Sequence, residues 1–250
     1  MTDDGPPPAS GVEPVGLLEG LRTTRAIRRY RPDPIPDDHM AAMLFAASRA
    51  PSGSNRQPFR FLVLRDGPRS GPAKALLGRS FRQQWAAKRS ADGYGDGSGV
   101  EDHSPKARTA RTMQHFVDHF EQTPAVVLAC LRRYRAPYAH EGASVYPACQ
   151  NLLLAARALG YGGVLTVWHT AVEDDLRALL GIPDGVLIAA TIPLGRPIGS
   201  HGPVRRRPLA ELVADDHWDQ PASWATDPPG TSFSGAGPPR PAPAPPPTSG

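Results

Sequence analysis

Two kinds of hydrophobic run alternate along the chain. In the first, apolar positions recur every three or four residues. "IPDDHMAAMLFAASRAP" places Met40, Met43, Leu44 and Ala47 on one face, opens on Pro36 and two acids, and stops at Pro51, which predicts an amphipathic helix. "YPACQNLLLAARALGYGG" repeats the pattern with Cys149, Leu152, Leu153 and Ala156; it is more apolar, hence more deeply buried, and Gly160 supplies its stop. Thr170 and Glu173 stand at capping-box spacing before Leu176, Leu179 and Leu180, and Gly181 followed by Pro183 ends that helix. In the second kind of run the apolar character is continuous. Residues 59–64, 125–131, 164–168 and 186–194 are apolar or β-branched and bounded by turn residues, which predicts strands in a sheet covered by helices on both faces.

The ends of the chain break this pattern. Residues 1–14 are polar and rich in Pro and Gly, and the Pro-rich segment 221–250 has too little apolar surface to offset the entropy of ordering, so both are expected to be unstructured around a domain at 15–220. Inside that domain, residues 88–111 mix glycines with charges of both signs and read as a mobile lid or insertion. With 250 residues and a 40% hydrophobic fraction, a packed core is within reach. The formal net charge of +4 is too small to demand nucleic acid, and no helix-turn-helix pattern accompanies it. Cys130 and Cys149 sit in apolar runs, so neither a disulfide framework nor a zinc site is expected and a reducing cytoplasm is the default location. No stretch reaches the roughly 18 apolar residues of a membrane span.

Candidate chemistry is concentrated in four places. Between Gly20 and Pro32 lie Arg22, Arg25, Arg28, Arg29 and Arg31 without an acid. If that segment is helical, Arg22, Arg25 and Arg29 share a face, and the cluster is either a phosphate site or a solvated basic face. "PSGSNRQPF" puts Ser52, Ser54, Asn55 and Gln57 between a helix end and a strand, where amides recognise a ring with carbonyls and nitrogens or simply cap a turn. "GYGGVLTVW" offers either close backbone approach to a flat ligand or plain helix termination. Arg205, Arg206 and Arg207 form a second basic run, again a phosphate partner or a solvated stretch. His115 and His119 have helical spacing, but the surface-helix reading outweighs a metal site because no third ligand is evident. The P-loop, the nucleophile elbow and the dinucleotide fingerprint are missing.

Taken in order, "TTRAIRRYRPDPIPDD", "ASRAPSGSNRQPFRFLVL", "TPAVVLACL", "ACQNLLLAARALGYGGVLTVW", "LRALLGIPDGVLIAATIPLGRP" and "RRRPLAELV" resemble the FMN-dependent nitroreductase family over residues 17–213. The resemblance implies an α+β three-layer sandwich, with a central, mostly antiparallel sheet flanked by helices, assembled as a homodimer with FMN at the interface. It implies an enzyme that moves hydride from NADH or NADPH through FMN to a small organic acceptor, such as a nitroaromatic or quinone, in a ping-pong cycle. The same fold also serves dimethylbenzimidazole synthesis, biosynthetic oxidation and dehalogenation, while a basic nucleic-acid-binding module is the weaker alternative. By the same resemblance Arg25, Ala26 and Arg28 match the stretch beside the flavin, and Ser54, Asn55 and Gln57 match the polar turn that closes its pocket, often from the partner subunit. Leu165 and Thr166 match the segment whose backbone faces the ring, and Arg205 and Arg207 match C-terminal phosphate contacts. No side chain is implied as acid or base and no metal is expected, since the flavin carries the chemistry. Thr24 and Ala26 stand where many members have arginine and serine, so one or two phosphate hydrogen bonds are missing or come from Thr23, Thr24 or the basic run at Arg205–Arg207.

Overall fold

Residues 15–101 and 103–234 are described by the computed structural model, so the predicted N-terminal segment 1–14 and the tail from residue 235 lie outside the described residues. The helices are α1 (Leu17–Thr23), α2 (Asp37–Ser48), α3 (Ser70–Ala91), α4 (Pro105–Asp118), α5 (Tyr146–Ala158) and α6 (Glu173–Leu180). The strands are β1 (Phe59–Leu64), β2 (Ala125–Arg132), β3 (Gly162–Gly163) and β4 (Val186–Gly195). They form one sheet in the order β1-β2-β4-β3, antiparallel at every pairing.

The continuous apolar runs are continuous because both faces of the sheet are covered. Along β2, Ala125, Val127, Ala129 and Leu131 join one core with Met40, Met43 and Ala47 of α2 and Cys149, Leu152 and Ala156 of α5. Val126, Leu128 and Cys130 join the other with Leu77, Phe81 and Trp85 of α3, Phe116 and Val117 of α4, and Leu176 of α6. A β-bulge between Ala129 and Cys130 shifts the β2–β4 register, and on β4 the consecutive Ala189 and Ala190 both belong to the first core. Burial pushes the thiols of Cys130 and Cys149 up to about 11 and about 12, and neither is in a disulfide. Among the described residues no helix is long and apolar enough to cross a membrane.

Several local expectations needed correction. Residues 164–168 are not a strand: only Gly162–Gly163 pair with β4 in a ladder, after which Thr166 alone bridges to Thr191. The Thr170 capping box does not form; residues 170–172 make a 3₁₀ turn, and α6 starts at Glu173, where Glu173, Asp174 and Asp175 complement the helix N-terminus by charge instead. Its stop is as expected, at Gly181 in the left-handed region with φ 67°. Within 88–111 the chain is helical to Ala91 and again from Pro105, where the Ser104 hydroxyl accepts from the Ala107 N–H and caps α4. The arginine segment is helical only through Thr23. The Thr23 and Thr24 hydroxyls donate to the carbonyls of Glu19 and Gly20, both at 2.7 Å, and the chain then runs extended, so Arg25, Arg28 and Arg29 share no helical face.

The chain divides into two compact units at Gly202 and Pro203. In the second, a short 3₁₀ turn at Leu209–Glu211 accompanies bridges between Ala214 and Pro221 and between Arg206 and Phe233. Residues 221–234, expected as tail, thus pair with earlier parts of that unit, and the Ser234 N–H donates to the Arg206 carbonyl at 2.8 Å.

Candidate functional site

After α1 the extended chain is stitched to the glycine edge of the sheet. The Ile27 N–H donates to the Gly163 carbonyl at 2.9 Å, the Arg31 N–H to the Arg196 carbonyl at 2.8 Å, and the Ile198 N–H to the Arg29 carbonyl at 2.9 Å. This is possible because Gly162 and Gly163 have no side chains: a Cβ on Gly162 would stand 2.5 Å from Ile27 Cγ1, and one on Gly163 would stand 2.6 Å from the Pro193 carbonyl oxygen. Arg25, Ala26 and Arg28 are therefore held immediately around the point where residue 27 meets β3.

Arg28 is half-buried, and burial lowers its pKa below the ordinary guanidinium value, with the Tyr30 and Tyr94 phenols as its nearest titratable neighbours. It makes no hydrogen bond or ion pair to any described residue, so a desolvated cation faces a space that holds no carboxylate. Nearby, Arg157 on α5 donates from Nε to the Thr23 hydroxyl at 2.9 Å. His201 donates from Nε2 to the Tyr161 carbonyl at 3.0 Å. Its Nδ1 is buried beside the Thr23 backbone and has no hydrogen-bond partner among the described residues. Burial lowers the His201 pKa, and the charges of Arg157 and Arg25 lower it further, which places both guanidiniums around this imidazole. The result is a corner made positive by Arg25 and Arg157, beside a His201 imidazole whose protonation burial disfavours, suited to a small anion.

Beyond β3 the chain leaves the sheet edge. Thr166 exchanges two backbone hydrogen bonds with Thr191, at 3.0 and 2.8 Å, while the N–H groups of Leu165 and Val167 have no acceptor among the described residues. Leu165 and Val167 are 37% and 47% exposed, unusual for apolar residues beside a packed sheet. The segment is fixed at its far end: the Ser80 hydroxyl donates to the Trp168 carbonyl, and buried His169 donates from Nε2 to the Ile188 carbonyl at 2.9 Å while Nδ1 meets the Thr191 hydroxyl at 3.2 Å. Burial lowers the pKa of His169 from its ordinary value of 6.5, against the hydrogen bond to Ile188 and the charge of Glu173, which raise it, while Arg177 lowers it further. Because the folded state disfavours protonation, the stability from His169 is complete above about pH 6.5 and is lost as pH falls through the lower folded value. Thermal midpoints should thus drop between neutral and mildly acidic pH, and His169→Gln should flatten that slope. An unchanged slope would remove His169 as its source.

The polar turn is strained and exposed. Ser54, Asn55 and Gln57 have φ of 52°, 50° and 48°, a left-handed backbone that side chains other than glycine rarely adopt. The Gln57 N–H donates to the Ser52 hydroxyl at 2.8 Å, and its side-chain amide donates to Asn55 Oδ1 at 3.1 Å. These bonds stay within the turn; none reaches the Arg25–Arg28 stretch. Arg205 and Arg207 belong to the second unit. Of the residues expected from sequence, the structure gathers Arg25, Ala26, Arg28, Leu165 and Thr166 along one edge. It adds Arg157 and His201, which no sequence signal linked to that edge, and Val167 from the 160–168 segment. It also shows that the Thr23 and Thr24 hydroxyls already donate to carbonyls, so neither replaces a serine at Ala26 as a free donor.

The model of the Nitroreductase family matches residues 21–196. An NADH dehydrogenase of Thermus thermophilus is 28% identical over 204 residues, covering 76% of this chain and 90% of that one. An iodotyrosine deiodinase of Thermotoga neapolitana is 27% identical over 182 residues, covering 72% and 88%. Among solved structures, a variant of the FMN and NADPH-dependent nitroreductase from Sphigopyxis sp. strain HMH superposes with a TM-score of 0.63 at 20% identity, covering 82% of this chain and 100% of that one.

Proposed function

The chain belongs to the nitroreductase family, and from that premise we propose that it is an FMN-dependent oxidoreductase carrying reducing equivalents from NAD(P)H to a small organic acceptor such as a nitroaromatic or quinone. The observation that carries this reading is Arg28, a desolvated cation without an acid, one residue from the contact to β3 and beside an edge of uncommitted N–H groups. The residues fit the group. FMN supplies reversible hydride acceptance at its ring, and the protein supplies position and electrostatics.

Arg25 and Arg157 hold the phosphate beside the His201 imidazole. Arg28 would supply positive charge to the bound ring, whose electron density rises on reduction. The Leu165 and Val167 N–H groups donate along the same edge, and their side chains with Thr166 give the ring an apolar bed that sheds water. No side chain of the site is positioned as a general acid or base. Reductant and acceptor occupy the exposed face in turn, which gives ping-pong kinetics. Exposed Leu17, Leu18 and Leu21 on α1, Phe45 on α2 and Tyr146 on α5 form the apolar surface for a second copy. In that homodimer the turn at Ser54, Asn55 and Gln57 closes the pocket of the partner, which accounts for its distance from Arg28 in hydrogen-bond terms within one chain.

The purified protein should be yellow and release FMN on denaturation; a colourless protein that cannot be reconstituted would overturn the assignment. Arg28→Ala should weaken FMN binding by about 1–3 kcal/mol, measured as flavin lost on ultrafiltration. Similarity to a deiodinase favours reductive dehalogenation as the second reading, and faster turnover of a halogenated phenol than of a nitroaromatic would decide for it.

A further inference from the structure

The ends of β1 and β2 carry a run of cations that the proposed flavin site does not use. Arg60 on β1 stands opposite Cys130, and Arg132 closes β2, its N–H bonded to the Pro58 carbonyl at 2.8 Å. With Arg133 they form a ridge shared by two clefts, of about 580 and 650 Å³. Arg56, from the polar turn, lies 4.5 Å from the centre of the Tyr134 ring, Arg135 lies 5.3 Å from the same ring, and Arg135 also covers Tyr138 at 3.6 Å. Only two acids line these clefts or the pocket beneath them. Glu141 is engaged by Arg133 in a two-pronged pair at 2.7 and 2.8 Å, and Asp184 is on the wall of the larger cleft. Arg56, Arg60 and Arg132 have no carboxylate partner among the described residues. Stacking on an aromatic ring positions a guanidinium without neutralising it, so its N–H groups remain available to an anion.

We propose that the smaller cleft binds the adenosine 2′-phosphate end of NADPH and so gives the protein its choice of reductant. This rests on the function proposed above. A phosphate monoester dianion matches several convergent guanidinium forks better than a singly charged diester does. The guanidinium plane of Arg56, stacked on Tyr134 in the cleft lining, offers flat surface for a purine. Gln57, in the turn that the proposed homodimer sets against the partner's flavin pocket, also lines this cleft, so a dinucleotide anchored here extends toward that pocket. A cleft of 580 Å³ holds one nucleotide and not a strand of nucleic acid.

Titration of the purified holoprotein with 2′,5′-ADP by calorimetry tests this, with 5′-AMP, pyrophosphate and a single-stranded oligonucleotide as comparisons at physiological salt. The 2′,5′-ADP should bind best, and Arg60→Ala/Arg132→Ala should weaken it by about tenfold or more while raising KM for NADPH more than for NADH. Both side chains are exposed, and flavin content of the same preparations reports whether the variant has folded. Equal binding by variant and parent, pyrophosphate binding as tightly as 2′,5′-ADP, or tighter binding of the oligonucleotide would each overturn the proposal. Failure here in a yellow protein leaves the oxidoreductase reading standing. Arginine-dependent 2′,5′-ADP binding in a protein that takes no FMN would instead keep the site and remove that reading.

Discussion

Phe81→Ala is expected to cost about 3–5 kcal/mol of stability, the largest effect of any single truncation considered for this chain. Phe81 is fully buried, with its ring 4.4 Å from Phe120, 5.9 Å from Phe116 and 5.7 Å from Trp168. It joins α3 to α4 and both to the segment that follows β3, so no neighbour can collapse into the space without breaking another contact. In urea the midpoint should fall with an unchanged slope, and the thermal midpoint should drop by roughly 6–20 °C. Protein that remains folded in the cold should also hold flavin less tightly, because Phe81 and Ser80 together fix Trp168 at the end of the exposed 165–167 edge. A loss below about 1 kcal/mol would contradict the packing of the second core.

Gly162→Val should cost less stability but strike the candidate site itself. The new Cβ would stand 2.5 Å from Ile27 Cγ1, 3.0 Å from Ile27 Cβ and 3.2 Å from His201 Cε1. Ile27 is β-branched and its Cβ is tied to the backbone, so the side chain cannot swing aside and the segment must lift from β3. Overpacking of this kind costs about 1–3 kcal/mol. Since Ile27 sits between Arg25 and Arg28, the displacement moves both arginines together. Flavin retention after ultrafiltration should therefore be poorer than in Arg28→Ala, and wild-type retention in a folded Gly162→Val variant would exclude this edge as the flavin site.

The sheet and its two helical layers were legible in the sequence because β2 up to Leu131 and nearly all of β4 bury both faces, leaving uninterrupted apolar runs. Helix α3 was not, although it is the longest among the described residues. Its apolar positions, Ala73, Leu77, Phe81 and Trp85, are separated by Arg79, Arg82 and Gln84, and Gly71, Pro72 and Gly78 read as breakers. Pro72 is harmless in a first turn, and Gly78 leaves room for the Glu121 carboxylate that pairs with Arg82 at 2.7 Å. At the candidate site, the cluster of five arginines stood out by its density of charge, the resemblance singled out Arg25 and Arg28 within it, and the helix that would have aligned them ends at Thr23. Arg157 and His201 were not, because only tertiary packing brings a residue near the end of α5 and one after β4 to Thr23. Thr23 and Thr24 misled for a related reason: their hydroxyls already serve the backbone that ends α1.

On the proposed function, Arg28 also ties the folding of the chain to its supply of cofactor. A cation desolvated against nothing weakens the empty protein, and the same cation rewards whatever anionic or electron-rich ligand arrives. A ligand present at a hundred times its dissociation constant adds about 2.7 kcal/mol to the folded state alone. Cells short of flavin would then hold less of this protein, because the empty form would unfold and be degraded more often, and core variants such as Phe81→Ala would survive or vanish according to the flavin available during synthesis.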